Sequence, residues 1–304
     1  LENAVERNPA EGILFSGGLD TSIIAFLASK KNKELKAFTL NVENAGSDLE
    51  FAVMLAEKLG IEHNVTNLSS NQLLEKMPSV IKILKVFDPM ELRHSVVVYA
   101  GLEIAKQHVK SVFTGDAGDE LFAGYPYLWQ KSPIELRLYL NHLSRTMYFS
   151  TFDLANALEV KAVAPFLDDQ VKRFALSLDA SMLVSDRNKI VFGKWILRKA
   201  FEELLPEKIV WREKNPLEQG SGSIVLTRFI ESKTSVQEFE EKKKQVFDEE
   251  NVVLRDREQL YYYELYKKIF GAPRKTIESK CIYCFSSQVI GATKFCRTCG
   301  AYPA

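Results

Sequence analysis

The sequence predicts an α/β protein: a parallel sheet sandwiched by helices, then a helical second half, then a small C-terminal zinc ribbon. Three observations predict it. Strand and helix patterns alternate through the first half of the 304 residues. Two glycine-containing loops each follow a short apolar run, one after Phe15 and one after Phe113. All four cysteines fall within the last 24 residues. Strands separated by helices argue for a parallel sheet covered on both faces. Ligands on such sheets bind beyond the carboxyl ends of the strands. Both glycine loops lie at such ends, so two distant motifs are expected to meet in one cleft.

Gly12–Phe15 is an apolar run fit for a buried strand, and Asp20–Ser29 follows with helical spacing at Ile23, Ile24, Phe26 and Leu27. Leu35–Leu40 is strand-like. Leu49–Leu59 has helical spacing at Phe51, Met54, Leu55 and Leu59, and Glu62–Leu68 is a third short strand. Helices are expected around Gln72–Leu84 and Ser95–Gln107, and Val109–Phe113 is another apolar strand. From about Ser132 the pattern turns helical, over Ile134–Leu143, Phe152–Leu158, Lys189–Leu205 and Arg255–Phe270. The tyrosines at 261–263 read as core and rim packing. Glu231–Asn251 is charge-rich, most simply a solvated helix face, and Pro216 to Ser223 is a loop rich in Gly and Ser. Pro273 punctuates the join to the ribbon, which sets two domains, 1–272 and 273–304.

Hydrophobic residues make up 46% and charged residues 26%, with zero net charge. Nothing global steers such a chain toward nucleic acid or an anionic membrane. No apolar run is long enough to span a bilayer, and Leu1-Glu2-Asn3 does not open a signal peptide. A cytoplasmic location is expected. Cys281-x-x-Cys284 and Cys296-x-x-Cys299 form two knuckles that read as a Cys₄ zinc ribbon. An iron site uses the same knuckles and remains the alternative. A ribbon this small folds on metal binding rather than on apolar burial.

Residues 12–22 read Gly-Ile-Leu-Phe-Ser-Gly-Gly-Leu-Asp-Thr-Ser. Strand, glycine turn and helix start together point backbone N–H groups and a helix dipole at an anion. A Walker A loop needs a Gly-Lys-Ser/Thr ending. Here the loop has no lysine and carries Asp20 instead. A carboxylate beside a phosphate site needs a cation to neutralise both, which implies Mg²⁺.

This loop resembles the PP-loop of the ATP pyrophosphatases, which split ATP into AMP and pyrophosphate. Further motifs follow: Phe-Thr-Gly-Asp-Ala-Gly-Asp-Glu-Leu-Phe-Ala-Gly-Tyr at 113–125, Ala-Pro-Phe-Leu-Asp at 164–168, and Lys-Trp-Ile-Leu-Arg-Lys-Ala-Phe, Leu-Leu-Pro-Glu-Lys-Ile and Trp-Arg-Glu-Lys within 194–214. In this order and spacing they resemble the synthetase domain of the asparagine synthetase B family, over roughly Leu1 to Phe270. The resemblance implies an adenine nucleotide alpha hydrolase-like fold. It also implies an AMP-forming ligase that adenylates a carboxylate, aspartate or a related acid, and passes the acyl group to ammonia or an amine.

It further implies ATP as cosubstrate, contacted by Leu14, Ser16, Gly17, Gly18, Asp20, Thr21, Ser22, Val42, Gly115 and Asp119. Asp20 and Asp119 would hold Mg²⁺. Lys214 would stabilise charge on the phosphates, a contribution on the order of a few kcal/mol for one well-placed donor. Arg93 would meet a carboxylate or phosphate of the substrate, which suits its forked guanidinium. Asp48 lies in a segment similar to one near the nucleotide, though its simplest reading is a helix N-cap. The family commonly has Gly-Glu-Gly where this sequence has Gly115-Asp116-Ala117. Asp116 keeps the carboxylate that would handle the nitrogen nucleophile, with one methylene less reach.

Glutamine-dependent relatives carry an N-terminal glutaminase domain with a cysteine nucleophile. This sequence starts at the synthetase domain, and its thiols all fall in the ribbon. Nitrogen is therefore expected as free ammonia, from a separate glutaminase, or as an amine on the substrate, as in the related β-lactam-forming synthetases. Two other readings compete. One is a PP-loop enzyme that modifies tRNA bases with help from the ribbon. Residues 274–304 hold five Lys/Arg against one Glu, a weak patch rather than a nucleic-acid stripe. The other is a non-catalytic, partner-binding homologue. The ribbon could serve as a docking or homodimer element in any of the three, and a plain structural cap is its simplest role.

Overall fold

The structure is a computed structural model that describes residues 1–213, 217–290 and 294–304. Five strands form the central sheet: β1 (Gly12–Leu14), β2 (Lys36–Val42), β3 (Glu62–Leu68), β4 (Ser111–Phe113) and β5 (Lys161–Val163). Their order is β3-β2-β1-β4-β5. Ile13 of β1 lies opposite Ala37 on one side and Phe113 on the other, both pairings parallel, and β4 pairs in parallel with β5. The chain runs outward from β1 to β2 and β3, then returns to lay β4 on the far side of β1. Such a reversal of strand order is where crevices open in parallel sheets. It falls between β1 and β4, the two strands whose carboxyl ends lead into the glycine loops.

The chain gathers into two compact units. The first comprises Leu1–Leu40, Ser47–Thr66 and Gly101–Pro216; the second comprises Asn41–Gly46, Asn67–Ala100 and Leu217–Ala304. The core of the first unit is built from Ile13, Ile23, Ile24, Leu55, Phe113, Leu121, Phe122 and Phe166, each fully buried. The helix Leu19–Lys31 supplies Ile23 and Ile24, and the helix Leu49–Leu59 supplies Leu55.

The helical periodicity expected over Lys189–Leu205 is corrected by the structure. Val184–Arg187 (β6) and Ile190–Gly193 (β7) form an antiparallel hairpin, and the helix occupies only Trp195–Phe201. The two-residue turn Asn188-Lys189 has positive φ at both positions, 54° and 68°. That is the backbone twist that suits a tight hairpin. The β-branched pair Ile190-Val191 then favours strand over helix. Within the stretch read as a loop from Pro216 to Ser223, residues Leu217–Ser221 form a short helix, while Pro216 lies outside the described residues.

In the second unit the helices Ser70–Leu84, Val225–Glu231, Val236–Glu250 and Arg257–Phe270 surround Tyr262 and Tyr263, both fully buried. Phe87 meets Tyr263 and Tyr266 edge-on, with ring centroids 5.1 and 5.2 Å apart. These tyrosines are packing residues, as their helical spacing predicts. The ribbon strands β8 (Val289–Ile290) and β9 (Phe295–Cys296) pair antiparallel. The ribbon is tied into its unit by main-chain and side-chain bonds. Phe87 N–H donates to Thr298 O at 2.7 Å and Val253 N–H to Tyr283 O at 3.0 Å. The Arg255 guanidinium donates to Gly300 O and Cys299 O, and the Gln259 amide to Cys299 O. No described helix is long and apolar enough to cross a membrane.

Candidate active site

The first loop is fixed before it begins. Phe15 N–H donates to Phe38 O at 2.8 Å, and Thr39 Oγ1 donates to Phe15 O at 2.5 Å. Gly17 then turns with φ +72°, and a Cβ there would lie 2.6 Å from Ala52 N. No side chain fits either that angle or that space. Gly18 N–H donates to Ser16 Oγ, which also lies 3.1 Å from Thr21 Oγ1. Gly18 is the N-cap of the helix Leu19–Lys31, and no side chain caps that helix start. Its first N–H groups therefore keep their capacity for an anion. Ser22 Oγ is buried with no hydrogen-bond partner among the described residues.

The second loop follows β4. Thr114 N–H donates to Val163 O at 2.8 Å, and Thr114 Oγ1 donates to the Asp116 carboxylate at 2.8 Å. Ala117 has φ 74° and starts the short helix Gly118–Leu121 that carries Asp119. The two loops touch. A Cβ on Gly115 would lie 3.1 Å from Thr21 Cγ2, and one on Gly118 would lie 2.6 Å from Asp20 Cγ. Glycine at 118 is what lets the second loop close over the Asp20 carboxylate. The convergence expected from the strand ends is thus observed.

A third segment arrives at the end of β7. Lys194, with φ 56°, donates its N–H to Phe122 O at 2.9 Å. Its ammonium, 4% exposed, bridges the two loops: it pairs with Asp20 Oδ2 and lies 2.7 Å from Asp119 Oδ1. Burial works against this charge, but the Asp119 and Asp20 carboxylates outweigh it and hold the lysine pKa above its usual value. Asp20 and Asp119 therefore face one another across a single cation. The other oxygen of Asp20, Oδ1, is buried with no hydrogen-bond partner among the described residues. A buried, unpaired carboxylate oxygen beside a second carboxylate fits a hard divalent ion such as Mg²⁺.

One helical turn beyond Lys194, Arg198 donates to three carbonyls: Gly193 O at 2.9 Å, Val210 O, and Arg212 O at 3.0 Å. Burial brings its pKa down to about 10, against the pull of the Asp20 and Asp119 charges, so it stays cationic near neutrality. Arg212 in turn pairs with Asp48 at 2.9 Å and covers the Phe51 ring at 4.2 Å. Asp48 occupies the N-cap position of its helix, but its side chain makes no capping bond. The segment leading to residue 214 is thus anchored at Val210 and Arg212, and Lys214 itself lies outside the described residues.

Arg93 and Val42 belong to the second unit. Arg93 pairs with Glu258 at 2.5 Å, and Glu258 also accepts from Tyr262 at 3.0 Å. Burial raises the Glu258 pKa, with the Arg93 charge opposing it. Val42, fully buried, ends β2. Leu14 ends β1. The four cysteine sulfurs lie within 4.8 Å of one another. A tetrahedral site with metal–sulfur bonds of about 2.3 Å spaces its sulfurs about 3.8 Å apart. Cys281 and Cys299 are 3.7 Å apart and Cys284 and Cys296 3.6 Å, so the four fit zinc.

Sequence reasoning missed Lys194 and Arg198. Both stand in a motif that was recognised, Lys-Trp-Ile-Leu-Arg, yet nothing in the spacing says that its lysine meets Asp20. That contact depends on the β6–β7 hairpin, which the periodicity did not reveal.

The asparagine synthase family model matches residues 2–152 and 136–254. Asparagine synthetase [glutamine-hydrolyzing] of Gallus gallus is 32% identical over 247 residues, 74% of this chain and 43% of that protein. Asparagine synthetase B [glutamine-hydrolyzing] of Escherichia coli (strain K12) is 29% identical over 236 residues, 69% of this chain and 41% of that protein. The chain spans less than half the length of these relatives. Among solved structures, NMN synthetase from Francisella tularensis aligns with a TM-score of 0.32 at 16% identity, covering 88% of this chain and 91% of that one. The U34-tRNA thiolase NcsA from Methanococcus maripaludis aligns with a TM-score of 0.35 at 13% identity, covering 99% and 86%.

Proposed function

Because the chain belongs to the asparagine synthase family, we propose that it is an ATP-dependent ligase that forms AMP and pyrophosphate. In this reading it adenylates a carboxylate, aspartate or a related acid, and transfers the acyl group to ammonia or an amine. One observation carries the reading. Asp20 and Asp119, far apart in sequence, share one cation at the carboxyl ends of adjacent parallel strands.

Cutting ATP between its α and β phosphates needs the pyrophosphate held, its charge neutralised, the attacking oxygen placed in line and water excluded. The Ser16–Ser22 loop holds pyrophosphate through the uncapped N–H groups of its helix and the hydroxyls of Ser16 and Ser22. Asp20 and Asp119 would hold Mg²⁺, whose charge would offset that growing on the leaving group. Leu14 and Val42 border the adenine, and Gly115 brings the second loop against the nucleotide. Lys214 stabilises phosphate charge from a segment that Arg198 ties down. Arg93 takes the acid's carboxylate, its orientation set by Glu258. Asp116, oriented by Thr114, accepts a proton from the incoming nitrogen. The cysteines serve as a structural zinc site. The nitrogen donor is free ammonia or an amine, with a separate glutaminase as a further source.

The test is pyrophosphate release from ATP and Mg²⁺ with ammonia and a panel of acids that includes aspartate. Release is expected with one acid or a few, and Asp20→Ala is expected to abolish it. Wild-type release that survives Asp20→Ala counts against the site.

A further inference from the structure

Two largely enclosed carboxylates that face one another repel. Asp20 and Asp119 escape this because Lys194 contacts both. The arrangement is built from several sides. Lys194 takes a left-handed backbone, φ 56°, which is unfavourable for any residue with a Cβ. Its main chain is pinned to Phe122 O. A Cβ on Gly124 would overlap Asp119 Oδ1 and lie 2.6 Å from Lys194 Cε, so glycine there clears the path of the ammonium. One oxygen, Asp20 Oδ1, remains buried without a hydrogen bond among the described residues.

We infer that Lys194 is a tethered counter-cation that holds the divalent-ion position between Asp20 and Asp119 and yields it only to a metal arriving with a phosphate-bearing ligand. The inference rests on the proposed reading of these two aspartates as magnesium ligands. Charge explains the order of events. One ammonium against two carboxylates leaves the cluster with one net negative charge. A free divalent ion would have to expel a buried ammonium from the two carboxylates that pair with it. A nucleotide triphosphate supplies that anion. The lysine stem has four carbons and can swing its head onto a phosphate oxygen while its backbone stays fixed. The ammonium then follows the leaving pyrophosphate's charge, and Mg²⁺ takes the carboxylates. Free Mg²⁺ is thereby kept out of the site, and the metal enters as its nucleotide complex.

Mn²⁺ is the probe, read by loss of the free-ion electron paramagnetic resonance signal beyond the loss that the nucleotide causes without protein, with α,β-methylene ATP as the uncleavable nucleotide. The full chain is used with its cysteine site loaded with zinc. Wild type is expected to bind Mn²⁺ only when the nucleotide is present. Lys194→Met is expected to bind Mn²⁺ without nucleotide, about tenfold or more tighter than wild type. Its melting temperature should rise with Mn²⁺ alone, which wild type's should not. Equal nucleotide-free affinity in the two proteins overturns the inference. Should Lys194→Met fail to fold, the wild-type arm decides alone: nucleotide-independent Mn²⁺ binding overturns the inference, and strictly nucleotide-dependent binding supports it. Asp20→Asn separates the two levels. If nucleotide-dependent Mn²⁺ binding persists unchanged in that variant, the magnesium-ligand reading itself fails, whatever Lys194 does.

Discussion

The carboxylate cluster of the first unit and the thiol cluster of the second are both suited to a metal, and they solve opposite problems. Asp20 and Asp119 are two oxygen ligands with an ammonium already between them. The cysteines are four soft ligands, each buried to within 2% of full enclosure, whose spacing fits a tetrahedral ion. The first cluster carries its own counter-charge and an unfilled oxygen, so it can hold its shape and still exchange a ligand. The second has no internal cation among its ligands, and a closed Cys₄ shell leaves no open position. Under the proposed function, the difference assigns a metal at the first cluster to the chemistry and one at the second to the fold. An exchangeable site is paired to a charge that can move, and a structural site is not.

The sharpest way to break this comparison is to strip metal from both clusters at once, or from the thiol cluster alone. A strong chelator at neutral pH, or Cys284→Ser, is expected to unfold the ribbon and loosen what it grips. Structural zinc contributes on the order of 10 kcal/mol of apparent binding free energy in small domains. Its loss would release Arg255 and Gln259 from Cys299 O and Gly300 O. Hydrogen exchange should then rise across Arg257–Phe270 and the ribbon, while the helix Leu19–Lys31 keeps its protection. Mass spectrometry of the native chain should show one zinc lost. Equal loss of protection in both helices would mean that the two clusters do not differ in their dependence on metal.

The next effect is smaller and tests how the first cluster is braced. Arg198→Met removes one buried cation and three hydrogen bonds to main-chain carbonyls. Leaving such carbonyls without donors costs about 3 kcal/mol in total once partial rehydration is allowed for. Stability by urea unfolding should fall by that order. Under the proposed function kcat should fall more than KM rises, because the segment that leads to Lys214 loses its anchor. Arg198→Lys restores at most part of both, since a single ammonium cannot span Gly193, Val210 and Arg212. A fall in stability with kcat intact would confine Arg198 to packing.

Much of this was legible in the sequence, and the gaps have physical causes. The sheet and its glycine loops were readable because burial on both faces leaves short apolar runs and tight turns leave glycines. The Gly118–Asp20 approach confirms that both loops end in one place. The bounds of Leu49–Leu59 and Glu62–Leu68 match the spacing as read, because each is closed by a clear punctuating residue, Gly60 and Ser69. Ile190–Gly193 was unreadable by periodicity. Four residues of a hairpin strand merge into the helix that follows, and only the Asn188-Lys189 turn marks the break. Lys194 was hidden for that reason. Asp48 shows a different limit. Its position at a helix start suggested a cap, but Arg212, more than a hundred and sixty residues on, takes the carboxylate instead. A local signal cannot anticipate a distant competitor of opposite charge.

The smallest effect is set by pH and belongs beside the ribbon. Asp88 is 6% exposed and lies 3.4 Å from the Arg255 guanidinium. Burial lifts its pKa from 3.8 to about 6, although Arg255 opposes the rise. Between those two values the folded chain holds a proton that the unfolded chain has released. Stability therefore falls as pH rises through that window and stays lower above it. The size is on the order of 2–3 kcal/mol, at about 1.4 kcal/mol for each unit. Asp88→Asn keeps an acceptor for the Met90 and Glu91 N–H groups and removes the charge. It should raise stability at pH 7.5 by that order, leave it nearly unchanged at pH 4, and flatten the decline between. Urea unfolding at the two pH values measures this. No such pH response is expected from Lys194 in the same range, because its charge is held by two carboxylates rather than opposed by burial alone. A variant that flattens nothing would show that Arg255 already neutralises Asp88 in full, and that the ribbon side, like the carboxylate cluster, carries a matched charge.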